Sequence, residues 1–219
     1  MQFLLDSAII EEAKQAAEWG WVSGATTNPT LLAKSSLPPS KTLKKLGKLF
    51  KGRIYYQLTG KSVKEMEEEA RLASDILGKQ LVLKIPAVPL GFQACVTLSK
   101  KYTCAVTSIF SPSQALTAHA AGARYALYYH NRAKRLLPDG ADLAKRIADV
   151  LARTDTRLVA ASLKSTEEVI EALVAGARIL SAPLAVLAQL PVQEHAQAAL
   201  EEFDAKGIGL LDEKRKEPS

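Results

Sequence analysis

The stretch QLVLKIPA, Gln80 to Ala87, sets a lysine inside a run that otherwise reads as a buried strand. On a strand's two-residue period Val82 and Lys84 share one face, and Leu81, Leu83 and Ile85 share the other. Two outcomes are open. Either the strand ends there and the long lysine stem carries the amine out to water, or burial lowers the amine's proton affinity and leaves a usable nucleophile near neutral pH. A neutral amine attacks ketones. The chemistry to expect of a buried Lys84 is therefore a Schiff base with a carbonyl substrate, followed by cleavage or formation of a carbon–carbon bond through an enamine.

Other residues able to do chemistry fall at corresponding places, on or at the ends of short apolar runs. They are Asp6; Thr26, Thr27 and Asn28; Gln57; Thr107 and Ser108; Tyr129, Asn131 and Arg132; and Ser162 with Lys164. Each has a plain structural reading when taken alone. Asp6 can cap the helix that follows, Asn28 can hold the turn before Pro29, Tyr129 can be a core residue with a satisfied hydroxyl, and Arg132 can be a surface ion-pair partner. Their coincidence on one set of strand ends is what argues for a shared site. Cys95 and Cys104 have no CxxC spacing and read as small buried thiols. His119, His130 and His195 are widely separated and form no spaced metal motif, so no metal is expected.

The elements that must position these residues alternate from end to end. Strand candidates are MQFLLD, GATTN, RIYYQL, LVLKIP, TCAVTS, RYALYY, TRLVAAS and ARILSA. Helical stretches separate them, among them SAIIEEAKQAAEW, SVKEMEEEARLASDIL, FQACVTLSKK, SPSQALTAHAA, DGADLAKRIADVLA and STEEVIEALVAGA. Ser62 with Glu65 and Ser165 with Glu168 fit capping boxes. Short apolar strands between helices imply a parallel sheet buried on both faces, and the count makes a closed (β/α)8 barrel of the α/β class the economical solution, with an open doubly wound sheet as the alternative. A barrel gathers catalytic groups at the C-terminal ends of its strands, where the polar residues above fall. One barrel domain over 1–190 is expected, then a C-terminal helix and tail over 191–219 that pack on the barrel or on a neighbouring subunit.

Composition bounds the partners. Of the 219 residues 47% are hydrophobic and 24% charged, with no apolar run long enough to cross a bilayer. The segment MQFLLDSAII has no basic leader and carries Asp6, so a cytoplasmic location is expected and no membrane partner. The net charge of +6 has its densest source in KTLKKLGKLFKGR, Lys41 to Arg53. There Leu43, Leu46 and Phe50 recur at helical spacing, which reads as a solvated lysine face rather than a nucleic-acid surface. The tail DEKRKEPS mixes both signs and reads as frayed rather than as a nucleic-acid arm. GxGxxG after the first strand and GxxxxGK[ST] are both missing, which removes the simplest nucleotide-binding readings.

The segments LLDSA, GATTNPTLL, LVLKIPA, YYHNR and AASLKS, in this order and spacing, resemble the successive signatures of the transaldolase family, most closely its fructose-6-phosphate aldolase and transaldolase-like branch. The resemblance implies a (β/α)8 barrel, a class I lysine mechanism, no cofactor, and a ring-shaped homo-oligomer (pentamer or decamer) in which a C-terminal helix packs on a neighbour. Residue by residue, it makes Lys84 the Schiff-base lysine and gives Asp6 and Asn28, beside Thr26, to the hydroxyls of the ketone donor. It gives Gln57 and Thr107 to a catalytic water, Tyr129 to acid/base work, and Arg132 with Ser162 to the acceptor phosphate. It also implies that transaldolases carry a glutamate at the position of Gln57 and usually a phenylalanine at that of Tyr129. Departures from the pattern are Pro89 and Leu90 in place of a polar, acidic pair, Leu127 where a small residue commonly borders the donor pocket, and the loop NRAKRLLPDGADL without a glycine-rich insertion.

The expected activity is a class I aldolase acting on a sugar phosphate and a hydroxyketone, such as fructose 6-phosphate, dihydroxyacetone and glyceraldehyde 3-phosphate. A transaldolase that passes the three-carbon unit to a second aldehyde is the first alternative, and a sugar-phosphate-binding barrel without catalysis is the second. Nucleic-acid binding, supported by charge alone, is weaker than either.

Overall fold

The computed structural model describes residues 1–210, so the DEKRKEPS segment expected to fray lies outside the described residues. The chain opens with β1 (Gln2–Asp6), α1 (Ile10–Glu18), β2 (Val22–Thr26), the single-turn α2 (Pro29–Leu32), α3 (Pro39–Leu49) and β3 (Ile54–Gln57). It continues through α4 (Val63–Leu77), β4 (Leu81–Pro86), α5 (Pro89–Leu98), β5 (Cys104–Ile109), α6 (Pro112–Ala120) and β6 (Tyr125–Tyr129). Then come α7 (His130–Leu136), α8 (Leu143–Leu151), β7 (Arg157–Ala161), α9 (Thr166–Val174), β8 (Ile179–Ala182), α10 (Leu184–Gln189) and α11 (Glu194–Lys206). Every strand pairs in parallel with the next and β8 returns to β1, so the sheet is the closed (β/α)8 barrel and not the open alternative. Closure leaves no strand edge unpaired. Met1–Leu187 forms one compact unit and the residues from Ala188 onward a second, in which α11 buries none of its side chains. Among the described residues no helix is long and apolar enough to cross a membrane.

Strand alternation builds the barrel interior in rungs. Leu4, Tyr55, Val82, Ala105, Leu127 and Ile179 belong to one buried cluster. Two residues further along the same strand faces stand Asp6, Gln57, Lys84, Thr107, Tyr129 and Ser181. The apolar rung is a floor and the polar rung above it opens toward the C-terminal mouth. Outside the sheet, α3 buries Thr42, Leu43 and Leu46 and leaves Lys41, Lys44, Lys45 and Lys48 exposed, the solvated face read from its sequence.

Local structure departs from the sequence reading in two places. Ser62 Oγ accepts from Glu65 N and Ser165 Oγ from Glu168 N, as a capping box requires, but the returning carboxylates bond Lys61 N and Lys164 N rather than the serine amides. The loop expected at NRAKRLLPDGADL is half helix. α7 starts directly after Tyr129, which moves Asn131 and Arg132 from the end of the sixth strand into the first turn of a helix. Lys134 and Arg135 in its last turn suit the negative end of its dipole, and it stops just before Pro138, where a following proline disfavours helical backbone.

Gly91, in the first turn of α5, allows this helix to fold back over the end of the strand that carries Lys84. A Cβ there would stand 2.0 Å from the Pro86 carbonyl oxygen. Gly91→Ala is therefore expected to lower stability by about 1–3 kcal/mol through overpacking, despite alanine's better helix propensity. Val96→Ala, at a site 49% exposed on the same helix, should change it little. Urea midpoints compare the two, and equal midpoints would show that the approach is not tight.

Candidate active site

A cavity of about 480 Å³ opens at the C-terminal mouth of the barrel. Asp6, Asn28, Gln57, Lys84, Tyr129, Arg132 and Ser162 all line it, so side chains from separate strands and loops converge on one space. Thr26 and Thr107 lie fully buried behind that wall. Ser108 and Lys164 also line the cavity; both were collected from the sequence, but without a role.

Lys84 does not escape to water. It is 2% exposed, and its Nζ donates to the Thr27 carbonyl oxygen at 2.9 Å. Loss of hydration holds its pKa below that of an ordinary lysine, although Tyr129 and Asp6 favour the charged form. Tyr129 responds to the same surroundings in the opposite sense. Burial raises the pKa of the phenol, but Lys84, the hydroxyls of Ser108 and Thr107, and Arg132 outweigh it and leave the pKa below the ordinary phenol value. The two groups interact electrostatically: the ammonium that acidifies the phenol is the form that burial disfavours. The Tyr129 ring is held by Phe110 edge-on, with centroids 6.0 Å apart, and by the Arg132 guanidinium 4.8 Å from its centroid.

Hydroxyl geometry fixes the donors. Thr26 Oγ1 donates to Asp6 Oδ1 at 2.8 Å and lies 2.6 Å from Ser181 Oγ. Thr26 has one hydroxyl proton, so Ser181 must donate to it, and the chain runs Ser181 to Thr26 to Asp6. Thr26 thus orients Asp6 from behind, and Asp6 does not cap α1. Ser181 was missed from the sequence, although its two-residue offset from Ile179 on an inward face was a usable signal. Asn28 Oδ1 caps α2 by accepting from Leu31 N at 2.9 Å, which leaves its Nδ2 protons for a ligand. Thr107 Oγ1 donates to Tyr129 Oη at 3.2 Å, while Gln57 Oε1 is buried and has no hydrogen-bond partner among the described residues. The two residues expected to share one water are therefore differently engaged: Thr107 serves the phenol, and Gln57 presents an acceptor that needs a donor.

Backbone strain is concentrated on the same rim. Among the described residues Ser108 (φ 63°) and Ser162 (φ 59°) are the non-glycine residues with positive φ. Ser108 sits where the β5–β6 register shifts between Thr107 and Ile109, and Ser162 directly follows β7. Leu127, expected to border the donor pocket, is fully buried in the apolar cluster and does not line the cavity. Leu90 lines a neighbouring hollow of about 340 Å³ that shares Pro29 and Gln57 with the main one.

A buried lysine, a phenol and the cationic side chains of Arg132 and Lys164 thus share one cavity at the C-terminal mouth of a closed barrel. The chain belongs to the Transaldolase/Fructose-6-phosphate aldolase family, whose model matches residues 3–217. It is 34% identical over 206 residues to a protein named probable transaldolase from Aquifex aeolicus, covering 93% of this chain and 94% of that one. Proteins of the same name from Symbiobacterium thermophilum (34% identity, 93% of this chain and 95% of that one) and a Hydrogenobaculum species (36%, 87% and 88%) are similarly related. A mandelate oxidase structure with (S)-2-phenylpropionate superposes with a TM-score of 0.63 over 93% of this chain and 70% of that one, at 15% identity, a likeness of fold alone.

The lowered pKa of Lys84 has a consequence for stability. The unfolded chain holds the lysine proton more tightly, so folding is penalised at low and neutral pH, and the penalty is lost as pH rises from the folded pKa through the ordinary lysine value. Lys84→Met is expected to melt above the parent at pH 7, with the gap closing toward about pH 10.4. Thermal denaturation of both proteins across that range checks this, and a gap independent of pH would place its origin elsewhere than the amine.

Proposed function

We propose that the protein is a class I aldolase that cleaves or forms a ketose phosphate such as fructose 6-phosphate, with dihydroxyacetone as the donor and glyceraldehyde 3-phosphate as the acceptor. The observation that carries this reading is Lys84, buried at the base of the cavity with a lowered pKa and electrostatically coupled to the Tyr129 phenol. The neutral amine adds to the C2 ketone, the Tyr129 phenol gives its proton to the departing hydroxyl, and loss of water leaves an iminium and a Tyr129 phenolate. The C3–C4 bond then breaks, its electrons flow into the iminium to form an enamine, and Tyr129 takes the C4 hydroxyl proton as the aldehyde leaves. Protonation of the enamine at C3 and hydrolysis by water release dihydroxyacetone and restore Lys84.

Asp6 and the Asn28 amide suit the donor hydroxyls, one as an acceptor and the other as a donor. Arg132 makes no ion pair among the described residues and shares the rim with Ser162, which suits a phosphate. The unpaired Gln57 Oε1 suits a bound water or a substrate hydroxyl. We further propose that the second unit, whose Leu200 and Phe203 are exposed, packs on a neighbouring subunit in a ring-shaped oligomer.

The relatives' names favour a second reading, transaldolase, in which the enamine waits for another aldehyde. The side chains favour release. An amide at Gln57 cannot ionise, so the proton taken from the substrate resides on Tyr129, close to the enamine it must quench.

Borohydride added with dihydroxyacetone should reduce the iminium and leave a stable adduct on Lys84, absent in Lys84→Met and unaffected by a chelator. Peptide mapping that finds the adduct on another lysine, with Lys84→Met still active, rejects the mechanism. The choice between release and transfer rests on Tyr129. The parent should release dihydroxyacetone from fructose 6-phosphate faster than it passes the unit to erythrose 4-phosphate. Tyr129→Phe should lose about 10²–10⁴-fold in kcat while still forming the adduct. Transfer much faster than release in the parent selects transaldolase.

A further inference from the structure

We propose that Glu168, outside the cavity wall, is a positioning residue that sets the spacing between the two sides of the anion-binding rim. The inference rests on the reading of Arg132 and Ser162 as a phosphate site and adds the residue that holds them in register. Glu168 is 9% exposed, and both of its carboxylate oxygens are engaged by different elements. Oε1 accepts from Asn131 Nδ2 at 2.7 Å, and Oε2 accepts from Lys164 N at 2.8 Å. Asn131 precedes Arg132 in the first turn of α7, and Lys164 lies in the loop that presents Ser162. A single buried carboxylate therefore ties the helix carrying one cation of the rim to the loop carrying the other cation and the strained serine.

This goes beyond capping α9. In a capping box the carboxylate returns to the amide of the capping serine, with its second oxygen free for water. Here it misses Ser165 N and reaches across to another helix. A backbone bond from Asn131 N to the Ser162 carbonyl oxygen, 3.2 Å, joins the same two segments beside it. Further along α9, Glu171 bonds His130 and Lys134 of α7, but it is 49% exposed and remote from Arg132 in the helix register. Of the two carboxylates, Glu168 is the one that bonds the residue next to Arg132 and the loop that holds Ser162. A carboxylate has the wrong sign to face a phosphate, and this one does not line the cavity; its oxygens are spent on donors belonging to the two rim segments. A dianion gripped by several donors is sensitive to their spacing, so a displacement of about an ångström on one side weakens the whole site.

The pair can be tested by exchanging its donor and acceptor. Asn131→Asp sets two carboxylates against each other and should weaken the binding of inorganic phosphate, measured by calorimetry, by about tenfold or more. It should raise KM for glyceraldehyde 3-phosphate in the synthesis direction far more than KM for phosphate-free glyceraldehyde. Glu168→Gln should be mild, because Asn131 can turn its amide and offer Oδ1 to the new amide protons. The double variant, Asn131→Asp with Glu168→Gln, should recover most of the phosphate affinity by reversing the roles. The borohydride adduct with dihydroxyacetone on Lys84 should persist throughout, which reports a folded barrel and an intact donor side. A double variant no better than Asn131→Asp, or equal losses for both aldehydes, overturns the positioning role. Arg132→Ala separates the two readings: if it loses phosphate selectively while the Glu168 exchanges have no effect, only the positioning role falls. If it treats both aldehydes alike, the phosphate site falls and this inference with it.

Discussion

Holding an amine inside a closed barrel is the constraint on which the rest of the site depends. An ammonium out of water is costly, and the interior offers Lys84 one carbonyl bond, to Thr27, with Asp6 and Tyr129 as the groups that favour its charge. The groups around it are arranged accordingly. Asp6 is anchored from behind by Thr26 and Ser181, which fixes a negative charge near the amine without spending the carboxylate on an ion pair. Tyr129 is clamped by Phe110 and Arg132, so its phenol stays beside the amine rather than turning to solvent. The cation–phenol coupling that results is stronger than either group would find at the surface, because little water screens it.

The barrel supplies this arrangement almost without dedicated scaffolding. Interior positions recur every second residue on every strand, so a polar rung directly above an apolar one lets Asp6, Lys84 and Tyr129 wall the cavity while Leu4, Val82 and Leu127 pack beneath them. Parallel pairing brings Gln57 alongside Lys84 by register alone. The floor is fully packed and the wall is positioned by strands, whereas the Arg132–Ser162 end of the cavity is built from α7 and the loop after β7, which have no ladder to hold them. Between those two segments a side-chain tie, Glu168 to Asn131, stands where the strands have a ladder.

What was legible in the sequence follows the same division. Period-two alternation identified each strand and put Lys84 on the face of Val82, and strand ends located the residues of the cavity wall, because both are one-dimensional signals of a regular lattice. Partnerships were not legible. Whether Thr107 serves Gln57 or Tyr129 depends on a cross-strand approach that spacing does not encode, and Leu127 could be placed at the cavity or beneath it only once the height of each strand in the barrel was known. Ser181 went unnoticed because a serine in ARILSA looks like an ordinary small strand residue until it is seen to donate its proton to Thr26. α7 was hidden by its basic, proline-terminated loop composition, and the displaced returns of Glu65 and Glu168 by a one-residue offset that the capping pattern cannot distinguish.

Ser108 and Ser162 mark the point where the lattice gives way to the site. Left-handed backbone costs a residue with a Cβ about 1–2 kcal/mol, and a glycine would relieve it, yet both positions carry hydroxyls on the cavity. Each is held by regular structure on its flanks. The β5–β6 ladder resumes at Ile109 after the bulge, and the Ser162 carbonyl is bonded by Asn131 N. Strain persists only where neighbours over-determine it, and here the neighbours are the strands below and the α7 turn beside. The result is a pair of hydroxyls turned off the strand direction: one helps lower the pKa of Tyr129, and the other stands beside Arg132. A regular strand end would have continued the alternation and sent alternate side chains out of the barrel, so the irregular backbone is what converts strand ends into a convergent site.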